Sequence, residues 1–217
     1  MEDFIIYAID FEGSLQTGIL EYGIVGLSAQ QGIFSTESNL CKNKTYIPLT
    51  EMHCHGLSAN HLLTKIDFSN YLNHFLQLRS KAFFCAHNAI FENTLLSDYC
   101  PITSNAYSLH KMQTQQWGPW IDTYILYKKF FKNKSYSLNE LIKNFQLGEI
   151  LSTLGKKFCP HTRNNFHCAL FDAIACALLL LNFIRNVKSN TITLTWLLEQ
   201  STPTEIAKNI RQPHLWD

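Results

Sequence analysis

The chain has 217 residues, of which 46% are hydrophobic and 16% charged. That is enough apolar material for one sizeable domain with a true core, and it excludes a disordered chain. The formal net charge of +1 excludes a molecule that is basic all over, so any nucleic-acid site has to be a local patch.

The opening MEDFIIYAID carries three acids and lacks the basic n-region of a signal peptide. Within it, FIIYAID (4–10) is a β-branched and aromatic run ending in an acid, which predicts a central strand. EYGIVGLSA (21–29) predicts a second strand and NLCKNKTYIP (39–48) a third, more polar one near an edge. Short turns join the three, so a meander is expected. From 55 to 80 the spacing becomes helical, with Ser58 and Asp67 as candidate N-caps. AFFCAH (82–87) is a short continuous apolar run, consistent with a buried strand. It leads through AHNAIFEN into TLLSDY, which turns away as a helix.

The stretch 101–123 has no regular period, but a strand is expected near Trp120–Ile121. DTYILYKKFF carries a helical stripe, and SYSLNELIKNF follows with Ser135 or Ser137 as its cap. GKKFCPHTRNNFH (155–167) predicts a polar, basic loop, and HCALFDAIACALLLLNFI (167–184) a long apolar helix. Its longest apolar run, AIACALLLL (173–181), is shorter than a membrane span. In the tail, Thr202-Pro-Thr-Glu205 fits a capping box with proline at the first helical position. Strands first, then alternating strand and helix, predict an α/β domain with a mixed sheet. The seven cysteines are scattered without a CxxC pair, which fits reduced thiols and a cytoplasmic protein. HCH at 53–55 and CPH at 159–161 have no second half at finger-like spacing, so no structural zinc is expected.

Acids recur where elements end. Asp10 and Glu12 close the first strand with one residue between them, so they share a face of an extended chain. Two such carboxylates repel each other unless a cation lies between them. Gly13-Ser14 also suits an ordinary turn, but the end of the most apolar strand is a costly place for unneutralised charge. Asp172 interrupts an otherwise apolar helix five residues after His167, and a buried Asp needs a partner.

DFE, then HNxxFE, then H-x4-D, separated by these element types, resembles the DEDDh group of 3′–5′ exonucleases, in the DnaQ-like proofreading-exonuclease superfamily with a ribonuclease H-like fold. The resemblance runs from about Ile5 to Leu181. GILEYGIV is similar to the family's second strand, HGLS at 55–58 to its turn into a helix, and WIDTYILYKKFF…SYSLNELIKNFQL to its Asp-Thr helix and the helix after it. The resemblance implies that Asp10, Glu12, Glu92 and Asp172 hold two divalent cations, Mg²⁺ or Mn²⁺, and that His167 is the general base. It implies hydrolysis of single-stranded DNA or RNA from the 3′ end, DNA being favoured, with release of nucleoside 5′-monophosphates. An RNA-trimming enzyme and a weakly active exonuclease-like binding module are the alternatives. By the same resemblance Gly13, Ser14 and Leu15 meet the 3′-terminal nucleotide, and His87 and Asn88 flank the substrate unless they serve to cap the helix near Ala89.

The chain departs from the family pattern twice. Glu92 stands where the family usually has Asp, which adds one methylene of reach, and Gly13-Ser14 replaces the usual Thr. Two basic clusters, KKFFKNK (128–134) and Lys156, Lys157 with Arg163, are candidate phosphate contacts, and Phe158 and Phe166 are candidate stacking partners. The nuclease domain is expected over 1–186, with 187–217 as a helical tail that packs on the domain or docks on a polymerase or other protein. No membrane association is expected.

Overall fold

The computed structural model describes residues 4–100, 117–187 and 192–201. Alternation in IYAIDFEGS makes β1 (Ile6–Ser14) the hub of the sheet. Ile6 and Ala8 point into one core cluster, while Ile9 and Phe11 point into the other. β2 (Gly18–Ser28) and β3 (Gly32–Leu40) follow as an antiparallel meander. β4 (Phe83–Ala86) and β5 (Trp120–Asp122) add parallel strands on the other side of β1. Among the described residues the sheet order is β3-β2-β1-β4-β5. This mixed, helix-flanked sheet is the expected ribonuclease H-like α/β architecture.

The helices are α1 (Leu49–His55), α2 (Ala59–Leu62), α3 (Leu72–Lys81), α4 (Ile90–Tyr99), α5 (Thr123–Phe130), α6 (Leu138–Asn144), α7 (Gly148–Phe158), α8 (Ala169–Asn186) and α9 (Leu194–Ser201). α8 lies across one sheet face among residues of α5, α6 and α7, while Phe68, Phe75, Leu95 and Leu96 cover the other. Apolar side chains surround α8 on nearly every side, and each fully buried Leu contributes roughly 1.5–3 kcal/mol. At 18 residues α8 is long and apolar enough to cross a membrane, longer than the 173–181 run suggested, yet 78% of it is buried inside this domain. Its N-terminus rests directly on β2 at Gly23, where an added Cβ would come within 2.3 Å of the Ala169 carbonyl oxygen. That close approach holds Asp172 beside the end of β1.

Several expectations need correction. β3 spans Gly32–Leu40 and not 39–48; its half-exposed, polar edge position hid the pattern, and beyond Cys41 the chain turns away to bond Thr17 through Lys44. The helical stretch 55–80 is broken into α2, a 3-10 turn at Phe68–Tyr71 and α3, and α1 precedes it. Ser58 does precede α2, and Asp67 caps the 3-10 turn by accepting from the Ser69 N–H at 2.8 Å. Gly155–Phe158 are the last turn of α7, not loop; Gly155 is there because a Cβ would strike the Phe171 ring at 2.8 Å. Ser137 precedes α6, as one of the two expected caps.

In the tail, α9 packs on the same core. Leu197 joins the α8 cluster, and Trp196 lies 5.3 Å from the Phe130 ring. The Thr202–Glu205 capping box lies outside the described residues, as does 101–116 of the irregular 101–123 stretch.

Candidate active site

Asp10 and Glu12 extend the row of β1 that begins with Ile6 and Ala8, so both carboxyls face α8. Asp10 lies across from Gly23 of β2 and Glu12 across from Glu21; the register then slips between Glu12 and Gly13. Gly13 adopts φ +126, and a Cβ there would collide with the Gly18 carbonyl oxygen at 2.1 Å. Only glycine lets the hairpin close just past Glu12.

Glu92 sits in the first turn of α4, and its entry is fixed by Asp122 at the end of β5. One Asp122 carboxylate accepts the N–H groups of Asn88 (3.1 Å), Ala89 (3.0 Å), Tyr124 (2.9 Å) and Ile125 (3.3 Å), tying together the starts of α4 and α5. Asn88 takes φ +71 in this turn. The helix start is thus capped by Asp122 and not by the Asn88 side chain.

Asp172 lies in the first turn of α8, and its Oδ2 accepts the main-chain N–H of His167 at 2.9 Å. His167 itself adopts φ +64 with an exposed imidazole. Cys54 Sγ lies 3.4 Å from its Nδ1.

These elements meet at one open cleft of about 330 Å³, lined by Asp10, Glu12, Gly13, His87, Asn88, Glu92, His167 and Asp172 together with Phe11, Glu51, Cys54, His55 and Phe91. Donor atoms of Glu12, His167 and Asp172 lie within 4.8 Å of one another, a spacing suited to one cation. Glu92 Oε2 and Asp172 Oδ1 are buried with no hydrogen-bond partner among the described residues. Buried carboxylate oxygens left unmatched are costly unless a cation meets them.

The charges confirm the crowding. Burial, then Asp172, Glu12 and Glu92, hold the Asp10 carboxyl well above the usual range. Burial and the nearby Asp122 and Glu12 do the same to Glu92. Burial, with Asp172 and Glu21 beside it, pushes Glu12 up to about 8, and burial pushes Asp172 up to about 7 against the pull of the His167 N–H. Four acids that favour their neutral form in one cleft fit divalent cations, whose charge would restore all four carboxylates.

Ser14 and Leu15 sit just beyond the cleft in the hairpin. The Ser14 hydroxyl is 3.0 Å from Thr17 Oγ1, and Leu15 is exposed. His87 lines the cleft, but its ring bridges Thr123 Oγ1 and the Tyr136 carbonyl, each at 2.9 Å, and burial lowers its pKa to about 4. Arg163, expected among the phosphate contacts, is instead engaged by Glu21. Lys156 and Lys157 are exposed. Phe166 packs edge-on against Phe171 at 5.2 Å. Sequence reasoning missed Phe91, Cys54, Glu51 and His55 in the cleft wall. Phe91 could have been suspected as an apolar residue immediately before the Glu92 acid. α1 carries the other three and had no legible period.

No protein-family model matches the chain, and no curated protein matches it by sequence. Solved structures do. Exonuclease X in complex with 5′ overhanging duplex DNA is 22% identical, with a TM-score of 0.64, covering 92% of this chain and 99% of its own. The nuclease domain of 3′hExo, a DEDDh family member bound to rAMP, is 14% identical, with a TM-score of 0.58 over 85% of this chain and 93% of its own. E. coli Exonuclease I in complex with a dT13 oligonucleotide gives 13% and 0.54 over 84% of this chain and 41% of its own. With its acids and imidazole gathered at the end of β1, the chain has the ribonuclease H-like fold of the DEDDh exonucleases.

Proposed function

We propose that the chain is a metal-dependent 3′–5′ exonuclease acting on single-stranded 3′ ends, with DNA the favoured strand. The observation that carries the reading is the convergence of Glu12, His167 and Asp172 donor atoms within 4.8 Å, beside the unmatched buried oxygens of Glu92 and Asp172. The likeness to nucleases crystallised with DNA and with rAMP supports a nucleic-acid substrate. DNA is put first on the likeness to Exonuclease X, which was crystallised with DNA and is matched over 92% of this chain and 99% of its own.

Asp10, Glu12, Glu92 and Asp172 would hold two divalent cations. When bound, such a pair cancels the phosphodiester charge and stabilises both the attacking and the leaving oxygen of an in-line displacement. The chain's own residues do the rest. His167, placed at the cleft mouth by its left-handed backbone, accepts a proton from the attacking water. Cys54 Sγ lies 3.4 Å from Nδ1, and the tautomer with the proton on Nδ1 leaves the Nε2 lone pair free to act as the base. Gly13 lines the cleft where the terminal nucleotide would lie, and Leu15 and Phe91 offer exposed apolar surface for it. Lys156 and Lys157, exposed in the last turn of α7, would supply positive charge for the strand.

The test is a side-by-side assay on matched DNA and RNA strands, single and duplex, labelled at the 5′ end, with Mg²⁺ or Mn²⁺. Stepwise shortening from the 3′ end with release of 5′-mononucleotides is expected, faster on DNA. No cleavage of any strand by metal-loaded protein would leave a binding module in its place.

A further inference from the structure

The hydrogen bonds of Arg163 join β2 to two segments that wall the cleft, the end of α1 and the His167 loop. Its Nε donates to Glu21 Oε1 at 3.2 Å, and its Nη2 forms a close ion pair with Glu21 Oε2. Nη1 donates to the carbonyl of His55, the last residue of α1. Nη2 also reaches the carbonyl of His167 at 3.3 Å. Glu21 is occupied in turn, because its Oε2 accepts the N–H of Ala169 at 3.1 Å, at the start of α8. Both side chains are sequestered, Arg163 at 12% and Glu21 at 5% exposure.

The planar five-donor fork of arginine suits this arrangement, and lysine has no equivalent. β2 supplies the fixed anchor, since Glu21 stands across from Glu12 in the strand register. From that anchor the guanidinium grips α1, which carries Cys54, and the backbone of the residue that carries the imidazole. The His167 backbone is therefore held on both sides, its N–H by Asp172 and its carbonyl by Arg163.

We propose that Glu21 and Arg163 are a positioning pair that sets the His167 loop and the end of α1 against the sheet, and that Arg163 makes no contact with substrate phosphate. The proposal rests on His167 being the general base. A small displacement of that imidazole costs turnover without weakening strand binding, because base geometry matters only in the transition state.

Arg163→Lys keeps the charge and loses the fork. It should lower kcat about 10- to 100-fold while KM stays within about threefold. A phosphate-binding arginine would do the opposite, raising KM and flattening the salt dependence of binding. Since a lone buried Glu21 could unfold the chain, the paired variant Glu21→Gln with Arg163→Gln removes both charges together and should show the same split. In the His167→Ala background, Arg163→Lys should cost almost nothing more, because the residue acts through the imidazole. A full additional loss there, or unchanged kcat in the single variant, overturns the proposal.

Amide hydrogen exchange gives a readout free of turnover. Arg163→Lys should speed exchange at residues 164–168 by about tenfold or more and leave the middle of α8 unchanged. Unaltered protection of that loop overturns the positioning role even in an active enzyme. Loosened protection in a protein whose wild type cleaves no strand would instead sink the nuclease reading and leave the clamp standing.

Discussion

The main-chain N–H of His167 donates to the Oδ2 of Asp172 at 2.9 Å, so a single carboxylate both lines the cleft and pins the loop that carries the imidazole. The two tasks separate by substitution. Asp172→Asn keeps an oxygen for the His167 N–H and removes the charge. It should lower turnover about 10²–10³-fold while leaving that amide protected from exchange. Asp172→Ala should lose both. Equal exchange in the two variants would show that the hydrogen bond does not hold the loop.

His167→Ala removes the proton acceptor and none of the carboxylates. Turnover should fall about 10²–10⁴-fold, with Mn²⁺ affinity and strand binding changed only a few-fold. Added imidazole should restore part of the rate, because the exposed ring leaves a gap open to solvent. A near-normal rate without imidazole would remove His167 from the chemistry.

What was legible in the sequence were local patterns. Asp10 and Glu12 are two residues apart on a strand, and His167 and Asp172 are five apart where a loop enters an apolar helix; such spacings fix relative placement before any tertiary contact is known. AFFCA and the 167–184 run were apolar enough to name β4 and α8. The remainder was written in long-range contacts. Glu21 and Arg163 are 142 residues apart, and a basic residue in a basic loop gives no sign that a buried acid waits for it. Asp122 looked like part of an Asp-Thr helix start, yet it also fixes the turn before Glu92. β3 was obscured by its polar edge, and the last turn of α7 by a glycine whose reason is the Phe171 ring.

Glu92 carries a conflict between stability and function. Its Oε2 is buried and unmatched, and its side chain is 3% exposed. Glu92→Met fills similar volume without the acid. In metal-free protein it should gain about 0.5–2 kcal/mol, seen as a Tm higher by about 2–4 °C per kcal/mol. The same variant should lose nearly all activity, as should Glu92→Ala, while Glu92→Asp retains an appreciable rate. A near-silent Glu92→Ala would make this residue an ordinary buried acid.

The crowded carboxyls also set a pH dependence for the metal-free chain. Glu12 is held at about 8 and Asp172 at about 7, against unfolded values near ~4. In that window the folded state binds more protons than the unfolded one, so stability falls as pH rises. Below the unfolded values both states are protonated and the penalty vanishes; above the folded values it is complete. Tm measured in chelator should therefore decline between about pH 5 and pH 8.5. Mn²⁺ or Mg²⁺ should reverse the slope, because cations compete with those protons and bind only the folded arrangement. The rise in Tm on adding metal should be largest at the alkaline end and should shrink in Glu12→Gln. A metal-free Tm that climbs through neutral pH, or a metal-induced shift that is greatest in acid, would mean that these carboxyls are already neutralised by partners within the chain.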